Sequence, residues 1–426
     1  MKTINFDDRL RKIGELGEAL STNQERMALQ AAREIKFTLK DSRLEVKNTI
    51  QRLGMYEGVR SKLEGRAPLG GEGSTVALML SYNGSAWLNI AITSIFAVGN
   101  RVLVKFSSKG SELSKLTESI YKPIFGDQVQ FTRIGGRQFM EKSLKDPNIS
   151  SVVVFGSDTT VLPYEKAVRK SGKKMIFEGP GQDPFIVFPD ADIELALSDL
   201  MVSKFLNNGQ ACIAAKRIFV HRSIYDSFLR EFRARTSRLA VGDPENEATD
   251  ISPVISDAAV SRIKFQLKEA VEKGARTILG GRIEGNLIYP TIVRDATDDM
   301  LGMREEVFGP VAFTAPFDTK EEVIRRARDN KYGLRAAVFG GKEAEETAQA
   351  LIGEEYCHPV PSYTFGKFGT VALNETRSSS WVGAFITKPV GGYGLSGWIW
   401  ETVGGKFQIK QGPKLLSLET SLEYRA

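Results

Sequence analysis

Apolar residues near the start of the chain recur at the period of a helix. Leu10, Ile13, Leu16 and Leu20 are three or four positions apart, so they fall on one face of an amphipathic helix. A second run of this kind, RLEVKNTIQRLGMYEGV, follows it. We therefore expect helices from residue 7 to about residue 60, ahead of the glycine-rich loop GRAPLGGEGS.

Beyond this loop, short apolar runs alternate with amphipathic segments. The strand-like runs RVLVKF, QVQFTRI, SVVVFG and KKMIF are separated by the helix-like segments SELSKLTESIY, GGRQFMEKSLKD and TVLPYEKAVRKSG. After the turn EGPGQDP, the strand-like runs FIVF, RIFVH, VAFTAPF, AAVFG and TVALN continue the pattern, and Asp192 is placed to cap the helix IELALSDLMVSKFL. This alternation predicts an α/β protein with a doubly wound parallel sheet on each side of that turn.

The composition fits a globular protein with a large core. Of the 426 residues, 42% are hydrophobic and 26% are charged. The net charge of +6 is spread along the chain, and no basic cluster is interleaved with aromatic residues. This distribution argues against a nucleic-acid partner. It is compatible with an anionic cofactor or substrate.

The sequence also disfavours membrane and secreted proteins. The longest apolar stretch, residues 86–104, contains two asparagines, a glycine and an arginine, so it is too polar to span a bilayer. The first residues, MKTINFDDRLRK, lack the apolar core of a secretory signal. Two cysteines, Cys212 and Cys357, cannot form a disulfide framework, and together with two histidines they offer no metal centre. We expect a cytoplasmic protein without a metal.

Five segments carry candidate chemistry. In chain order they are SYNGSAWLNIAITSIFAVGNRVLVKFSSKGSEL, EGPGQDPFIVFPDADIELA, FLNNGQACIAAKRIFVH, REEVFGPV and PVGGYGLSG. Together they resemble the motifs of the aldehyde dehydrogenase superfamily, over roughly residues 68–420. Each motif alone is moderately specific, whereas five in the family's order make the resemblance strong.

The resemblance implies a fold and a domain division. It implies two doubly wound α/β domains: residues 1–177, with N-terminal helices and a Rossmann-like NAD(P)-binding domain, and residues 178–385, the catalytic domain. Residues 386–426 would return to the cofactor domain and the oligomer interface. The family's oligomerisation hairpin is missing, since only a glycine-rich link joins Tyr56 to Val76. We therefore expect a homodimer or a monomer rather than a hairpin-braced tetramer.

The resemblance also implies an activity. Cys212 would attack an aldehyde substrate, hydride transfer would leave a thioester, and Glu178 would act as general base for its hydrolysis to a carboxylic acid. The side-chain amide of Asn83 and the N–H of Cys212 match the family's donors to the oxyanion. The residues alone leave other roles open: a buried structural cysteine, a solvated glutamate and a turn asparagine.

The cofactor expected from the resemblance is NAD or NADP. Lys105 would meet the adenosine ribose. Ser108 stands where many NAD-specific members carry a glutamate, so NADP remains open, and Lys105 and Lys109 would support its 2′-phosphate. An alternative role for Ser108 is the N-cap of the helix ELSKLTESIY. The further cofactor residues implied are Gly156 and Ser157 near phosphate, Glu306 at the nicotinamide ribose and Phe308 at the nicotinamide.

The substrate pocket is the least defined part of the sequence. Tyr82 and Leu88 flank Asn83 and are assigned to the pocket, and Arg377 would pair with an acidic substrate tail. A solvated loop arginine is the other interpretation of Arg377.

Two departures from the family pattern keep alternatives open. EGPGQDP replaces the usual ELGGKSP, and Val161 and Leu162 stand where a second glycine is usual. One alternative is a CoA-acylating member, or a reductase of acyl-CoA or acyl phosphate, in which water is not the acyl acceptor. The other is a non-catalytic binding or scaffold protein of the same fold.

Overall fold

A computed structural model describes residues 4–64, 71, 73–82, 89–354, 356–359, 362–376, 386 and 390–412. The predicted site residues Asn83, Leu88 and Arg377 lie outside these ranges.

The chain starts with helices, as the spacing of its apolar residues predicts. Asn5 caps the first helix by accepting the N–H of Asp8, and the apolar face from Leu10 to Leu20 is buried. The α-helices are α1 (Phe6–Thr22), α2 (Gln24–Ile35), α3 (Leu39–Leu53), α4 (Arg60–Leu63), α5 (Asn89–Ala97), α6 (Ser111–Phe125), α7 (Gly136–Lys145), α8 (Asp158–Val161), α9 (Glu165–Ser171), α10 (Ile193–Phe205), α11 (Arg222–Thr236), α12 (Asp257–Glu272), α13 (Leu301–Arg304), α14 (Lys320–Arg328) and α15 (Lys342–Leu351). Short 3-10 segments are Glu57–Val59, Ser108–Gly110, Gly126–Gln128, Leu162–Tyr164 and Leu206–Gly209.

Each apolar run predicted as a strand forms one, and further strands accompany them. They are β1 (Thr75–Met79), β2 (Arg101–Lys105), β3 (Val129–Thr132), β4 (Ile149–Phe155), β5 (Lys174–Glu178), β6 (Asp183–Val187), β7 (Ala215–His221), β8 (Arg276–Leu279), β9 (Ile283–Glu284), β10 (Leu287–Ile288), β11 (Thr291–Arg294), β12 (Val311–Phe317), β13 (Tyr332–Gly333), β14 (Arg335–Phe339), β15 (Tyr356–Pro359), β16 (Thr370–Leu373), β17 (Tyr393–Gly394), β18 (Gly397–Val403) and β19 (Lys406–Gln411).

The first sheet has the order β15-β19-β18-β5-β4-β1-β2-β3. Neighbours from β5 to β3 are parallel. Helices cover such a sheet on both faces, which explains why runs such as SVVVF are apolar throughout. β18, β19 and β15 extend the sheet in antiparallel fashion.

The second sheet has the order β16-β14-β6-β7-β12-β11-β8. Its neighbours are parallel except β8 with β11. The chain passes from the first sheet to the second in residues 179–182, between the end of β5 and the start of β6. The two parallel sheets confirm the predicted fold class, while the predicted domain bounds stay a prediction.

Local details correct two expectations. The segment TVLPYEKAVRKSG is split into α8, a 3-10 turn and α9, because Pro163 lacks an N–H and its ring disfavours a continuous helix. Ser108 is not the N-cap of the following helix: Ser107 accepts the N–H of Lys109, and α6 begins after Gly110. Asp192 does cap α10, as predicted, by accepting the N–H of Leu195 at 3.0 Å.

Within the described ranges, no helix combines the length and the apolar character that crossing a bilayer demands.

Candidate active site

Three candidate loops meet because they lead into neighbouring parallel strands. β6, β7 and β12 lie side by side in the second sheet. Glu178 is the last residue of β5 and directly precedes the loop before β6, the loop before β7 carries Cys212, and the loop before β12 carries Glu306. Parallel strands start at one edge of their sheet, so the three side chains are brought together by topology rather than by closeness in sequence.

A cavity of about 310 Å³ lies at this edge, next to the carboxyl ends of β4 and β5. Its wall contains Cys212, Glu178 and Glu306. The other predicted site residues in its wall are Tyr82, Gly156, Ser157 and Phe308.

The turn before Cys212 is left-handed. Asn207, Asn208 and Gly209 have φ angles of 54°, 59° and 70°. Asparagine and glycine adopt this conformation most readily, which explains the sequence NNG. Gly209 is required for a second reason, since a Cβ there would lie 2.3 Å from the carbonyl oxygen of Gly309. The turn is therefore packed directly against the loop that leads into β12.

Buried polar contacts anchor this turn. Asn207 donates its backbone N–H to Asp41 Oδ2 at 2.8 Å and its amide to Glu45 Oε1 at 2.6 Å. Asn208 donates its amide to Ser252 Oγ at 2.9 Å and accepts the N–H of Ser252 at 2.8 Å. Burial raises the pKa of Asp41 to about 6, against the effect of the Asn207 N–H. Helix α3 thus holds the turn that presents Cys212.

Glu178 ends β5 in a region of glycines. It is paired with Gly397 of β18, and its carbonyl oxygen accepts the N–H of Gly156 at 3.0 Å. Cβ atoms at Gly391 and Gly397 would lie 3.4 and 3.7 Å from the Glu178 carboxylate oxygens. Both distances are ordinary van der Waals contacts, so Gly391 and Gly397 of the PVGGYGLSG segment lie beside this side chain. The N–H of Gly156 is thus bonded within the protein, while Gly156 itself lies in the cavity wall.

Ser396 holds the turn that follows Glu178. It accepts the N–H of Gly179 at 2.8 Å, and its hydroxyl donates to the carbonyl oxygen of Pro180 at 2.6 Å. The hydroxyl also accepts the N–H of Gly333 at 3.0 Å. These contacts hold Gly179 and Pro180 in place, the two residues that stand where the family usually has Leu-Gly. Sequence reasoning quoted the segment containing Ser396 but gave this residue no role.

Gln182 links the same turn to the Glu306 loop. Its amide donates to the carbonyl oxygen of Gly302 at 2.6 Å, and its side-chain oxygen accepts the N–H of Val307 at 3.3 Å. The glutamine that replaces the family's usual lysine is thus a buried connector, which the sequence did not reveal.

Glu306 is a mostly buried carboxylate, with 16% of its side chain exposed. Its Oε1 accepts the N–H of Gly181 at 3.3 Å and lies 3.5 Å from Lys216 Nζ. Burial raises the pKa of Glu306, while Lys216 and the Gly181 N–H oppose the rise. A carboxylate held in the cavity wall can accept hydrogen bonds from ribose hydroxyl groups.

Tyr82 and Phe308 form an aromatic part of the wall. Their rings meet edge to face with centroids 6.2 Å apart. Burial raises the pKa of Tyr82, and the charge of Glu306 adds to the rise. The phenol is therefore a neutral polar group among apolar neighbours.

Lys105 and Ser108 lie at and beyond the carboxyl end of β2, outside the cavity wall. Lys105 is 7% exposed and donates to the carbonyl oxygen of Phe106 at 2.6 Å, and burial lowers its pKa. Lys109 donates to the carbonyl oxygen of Ile255 at 3.3 Å. The carboxyl ends of parallel strands are where dinucleotides bind in sheets of this type. The ammonium donors of these lysines and the carboxylate acceptor of Glu306 fit a dinucleotide that runs from β2 to the cavity.

Sequence reasoning missed the contribution of helix α12. Ser256, its N-cap, and Arg262 both line the cavity. The spacing of apolar residues in this helix is that of an ordinary amphipathic helix, so no sequence signal marked either residue. Across the described ranges, no group of His, Cys, Asp and Glu side chains is arranged to hold a metal ion.

Comparison of the sequence and the fold with those of known proteins identifies the family of this chain. The sequence model of the aldehyde dehydrogenase family matches residues 1–406. The 3-sulfolactaldehyde dehydrogenase of Priestia megaterium is 31% identical over 358 residues, which cover 79% of this chain and 74% of that protein. The NAD(P)+ succinate semialdehyde dehydrogenase Sad of Escherichia coli K12 is 29% identical over 370 residues, covering 82% of this chain and 79% of that protein. The solved aldehyde dehydrogenase from Brucella melitensis biovar abortus 2308 has a TM-score of 0.83 at 26% identity, covering 99% of this chain and 84% of that one.

The chain belongs to the aldehyde dehydrogenase family, a class of NAD(P)-dependent oxidoreductases that act on aldehydes. This confirms the family resemblance, the fold class and the enzyme class predicted from the sequence.

Proposed function

We propose that the protein oxidises an aldehyde to a carboxylic acid with NAD or NADP, through a thioester on Cys212. The observation that supports this most directly is the single cavity wall that contains Cys212, Glu178 and Glu306. Each of these side chains enters from a different loop, and each has a distinct chemical task.

In this mechanism the Cys212 thiolate adds to the aldehyde carbon, and the carbonyl oxygen becomes an oxyanion. The N–H of Cys212 and the amide of Asn83 are the proposed donors to that oxyanion. When bound, NAD(P)+ would supply the acceptor for the hydride that leaves the carbon. Cys212 would keep the acyl group as a thioester. Glu178 then takes a proton from water, the water oxygen attacks the acyl carbon, and the carbon–sulfur bond breaks to restore the thiolate.

The chain's own residues are proposed to hold the cofactor at two ends. Glu306 accepts from the nicotinamide ribose, and Phe308 borders the nicotinamide. Lys105, Ser108 and Lys109 meet the adenosine half, with Ser157 between them. The Ser157 hydroxyl already contacts Thr159 Oγ1 at 2.7 Å, which supports a role in shaping the loop as well.

Loss of the Cys212 thiol tests this proposal. Purified protein would be assayed for reduced nicotinamide with NAD and with NADP, against aliphatic, aromatic, carboxylate-bearing and sulfonate-bearing aldehydes. The last two classes are chosen because relatives are named for succinate semialdehyde and sulfolactaldehyde. We expect turnover that Cys212→Ala lowers by at least about 10³-fold, because no other group replaces the nucleophile.

Turnover that survives Cys212→Ala would contradict the mechanism. Cofactor binding without turnover for any aldehyde, with or without coenzyme A, would favour the non-catalytic alternative. Turnover that needs coenzyme A and yields acyl-CoA would favour the CoA-acylating alternative.

Ser108 gives a separate prediction about the cofactor. In Ser108→Glu the new carboxylate repels a 2′-phosphate and can pair with ribose hydroxyls, so we expect the NADP-to-NAD ratio of kcat/KM to fall at least about tenfold. Ser108→Gln is the control, because glutamine has the size of glutamate but no charge. It should change the NADP-to-NAD ratio of kcat/KM far less. Equal ratios in the two variants would place the 2′ position away from Ser108.

A further inference from the structure

Lys216 is an unusual residue for its place in the fold. It lies in β7, a strand with parallel neighbours on both sides, and its side chain is 0% exposed. A buried ammonium is costly unless oxygen atoms surround it. The next residue, Arg217, is also buried, and its guanidinium is surrounded by oxygen atoms away from the cavity. It donates to the carbonyl oxygens of Gln182, Arg326 and Ala327.

The oxygens around Lys216 come from the site itself. Its Nζ donates to the carbonyl oxygen of Cys212 at 2.5 Å and to that of Ala211 at 3.0 Å. Its third contact is Glu306 Oε1 at 3.5 Å. One ammonium group thus holds the two peptide groups that flank the Cα of Cys212 and the carboxylate that faces the cavity.

The turn after Glu178 also contacts Glu306 and the carbonyl of Cys212, through Gly181. Gly181 donates its N–H to Glu306 Oε1 at 3.3 Å. A Cβ on Gly181 would lie 2.4 Å from the carbonyl oxygen of Cys212, so the glycine lets that carbonyl reach Lys216. All three loops that build the cavity edge therefore meet around one side chain.

A second buried lysine nearby provides a contrast. Lys204, in α10, is 0% exposed, and its Nζ has no hydrogen-bond partner within the described part of the chain. Burial, reinforced by the charge of Lys216, holds the pKa of Lys204 well below its usual value. The two buried amines are therefore close in charge terms, but only the Lys216 ammonium donates hydrogen bonds to the loops of the site.

We propose that Lys216 is a positioning residue of the active site, which sets the placement of Cys212 and Glu306 relative to each other. This rests on the proposed function, in which those two residues serve the acyl and the cofactor ends of one reaction. Without the ammonium, the carbonyls of Ala211 and Cys212 lose their donor and the Cys212 N–H is free to rotate with the peptide. Glu306 also loses the cation that orients its carboxylate.

The test compares Lys216→Met with Lys204→Met. Both changes replace a buried lysine by an apolar side chain of similar length, in the same cluster. For Lys216→Met we expect kcat to fall at least about tenfold, because a misplacement near 1 Å can cost about a hundredfold in rate. KM for the aldehyde should change less than about threefold, and the NADPH Kd from nicotinamide fluorescence should rise, since Glu306 is no longer held. Lys204→Met should keep kcat and Kd near the wild-type values.

A turnover-independent measurement separates this proposal from the proposed function. The rate of Cys212 alkylation by iodoacetamide, located by peptide mass spectrometry, should differ from the wild-type rate in Lys216→Met and not in Lys204→Met, because only the Lys216 ammonium donates to the two peptide groups that flank Cys212. If wild-type protein oxidises no aldehyde, the proposed function fails, while the alkylation rate and the NADPH Kd still decide the role of Lys216.

Two further variants guard against a purely structural effect. Lys216→Gln keeps a donor for the carbonyls, and Lys216→Arg keeps the positive charge. If kcat or the alkylation rate in either variant lies closer to the wild-type value than in Lys216→Met, the positioning role is supported. If Lys216→Met does not fold, Lys216→Gln is compared with Lys204→Gln by the same measurements. Equal losses in the Lys216 and Lys204 variants, or none in either, would overturn the proposal.

Discussion

Glu178→Gln protein, mixed with its aldehyde and cofactor, is expected to release about one equivalent of reduced nicotinamide per subunit and then nearly stop. Glutamine has the shape of glutamate but cannot take a proton from water. Attack by Cys212 and hydride transfer would proceed, and hydrolysis of the thioester would not. Steady turnover should fall by about 10²- to 10⁴-fold, the usual contribution of a general base.

The stalled state can be observed directly. Intact-protein mass spectrometry of Glu178→Gln should show an added acyl group, which Cys212→Ala in the same background removes. Glu401→Gln is a suitable control, since Glu401 lies in β18 next to β5 and pairs with Lys174 and Lys410 at 3.3 and 2.9 Å. This control should turn over normally.

Other outcomes would change the assignment. Unchanged turnover by Glu178→Gln would mean that another group activates water, or that Glu178 faces away from the thioester. Recovery of turnover on adding coenzyme A would indicate that the thioester is open to other acceptors and would favour the CoA-acylating alternative.

Local sequence patterns predicted the elements of this fold well. The face of α1 from Leu10 to Leu20 is buried as its spacing requires, because packing of an amphipathic helix depends on its own residues. The alternation of strands and helices likewise gave both parallel sheets. The pairing of β18 with β5 was beyond such reasoning, because the register of Gly397 with Glu178 joins segments that are distant in the chain.

The sequence indicated the candidate residues that line the cavity, but not the residues that hold their loops in place. Cys212, Glu178 and Glu306 stand in motifs, and topology brings them to one cavity. Lys216 and Ser396 act through backbone carbonyls and N–H groups, and such contacts impose no residue pattern on their partners. A basic residue inside an apolar parallel strand was the one available signal for Lys216.

The roles assigned to the site residues stay predictions of the sequence and the proposals above. Asn83, Leu88 and Arg377 lie outside the described ranges. The role of Asn83 as an oxyanion donor rests on the resemblance, and the pairing of Arg377 with an acidic tail rests on the chemistry of arginine. The homodimer and the missing hairpin stay predictions from the resemblance, and the cytoplasmic location stays a prediction from the sequence.

The left-handed turn before Cys212 leads to the last prediction, in which Gly209→Ala damages both stability and activity. Alanine at φ +70° costs about 1–2 kcal/mol through its own backbone. Its Cβ would also lie 2.3 Å from the carbonyl oxygen of Gly309 and 2.9 Å from that of Lys204, so the turn and the loop before β12 must move apart. Forced overpacking of this kind adds typically about 1–3 kcal/mol.

Gly172→Ala separates the two costs. Gly172 has a φ of +69°, almost that of Gly209, but a Cβ there meets nothing within 4 Å. We therefore expect thermal unfolding to show a modest loss of Tm for Gly172→Ala and a larger one for Gly209→Ala. Only Gly209→Ala should also lose kcat, by at least about tenfold, because it displaces the turn that places Cys212 against the Glu306 loop. Equal Tm losses with wild-type kcat in both variants would show that the contact with Gly309 does not govern the position of the nucleophile.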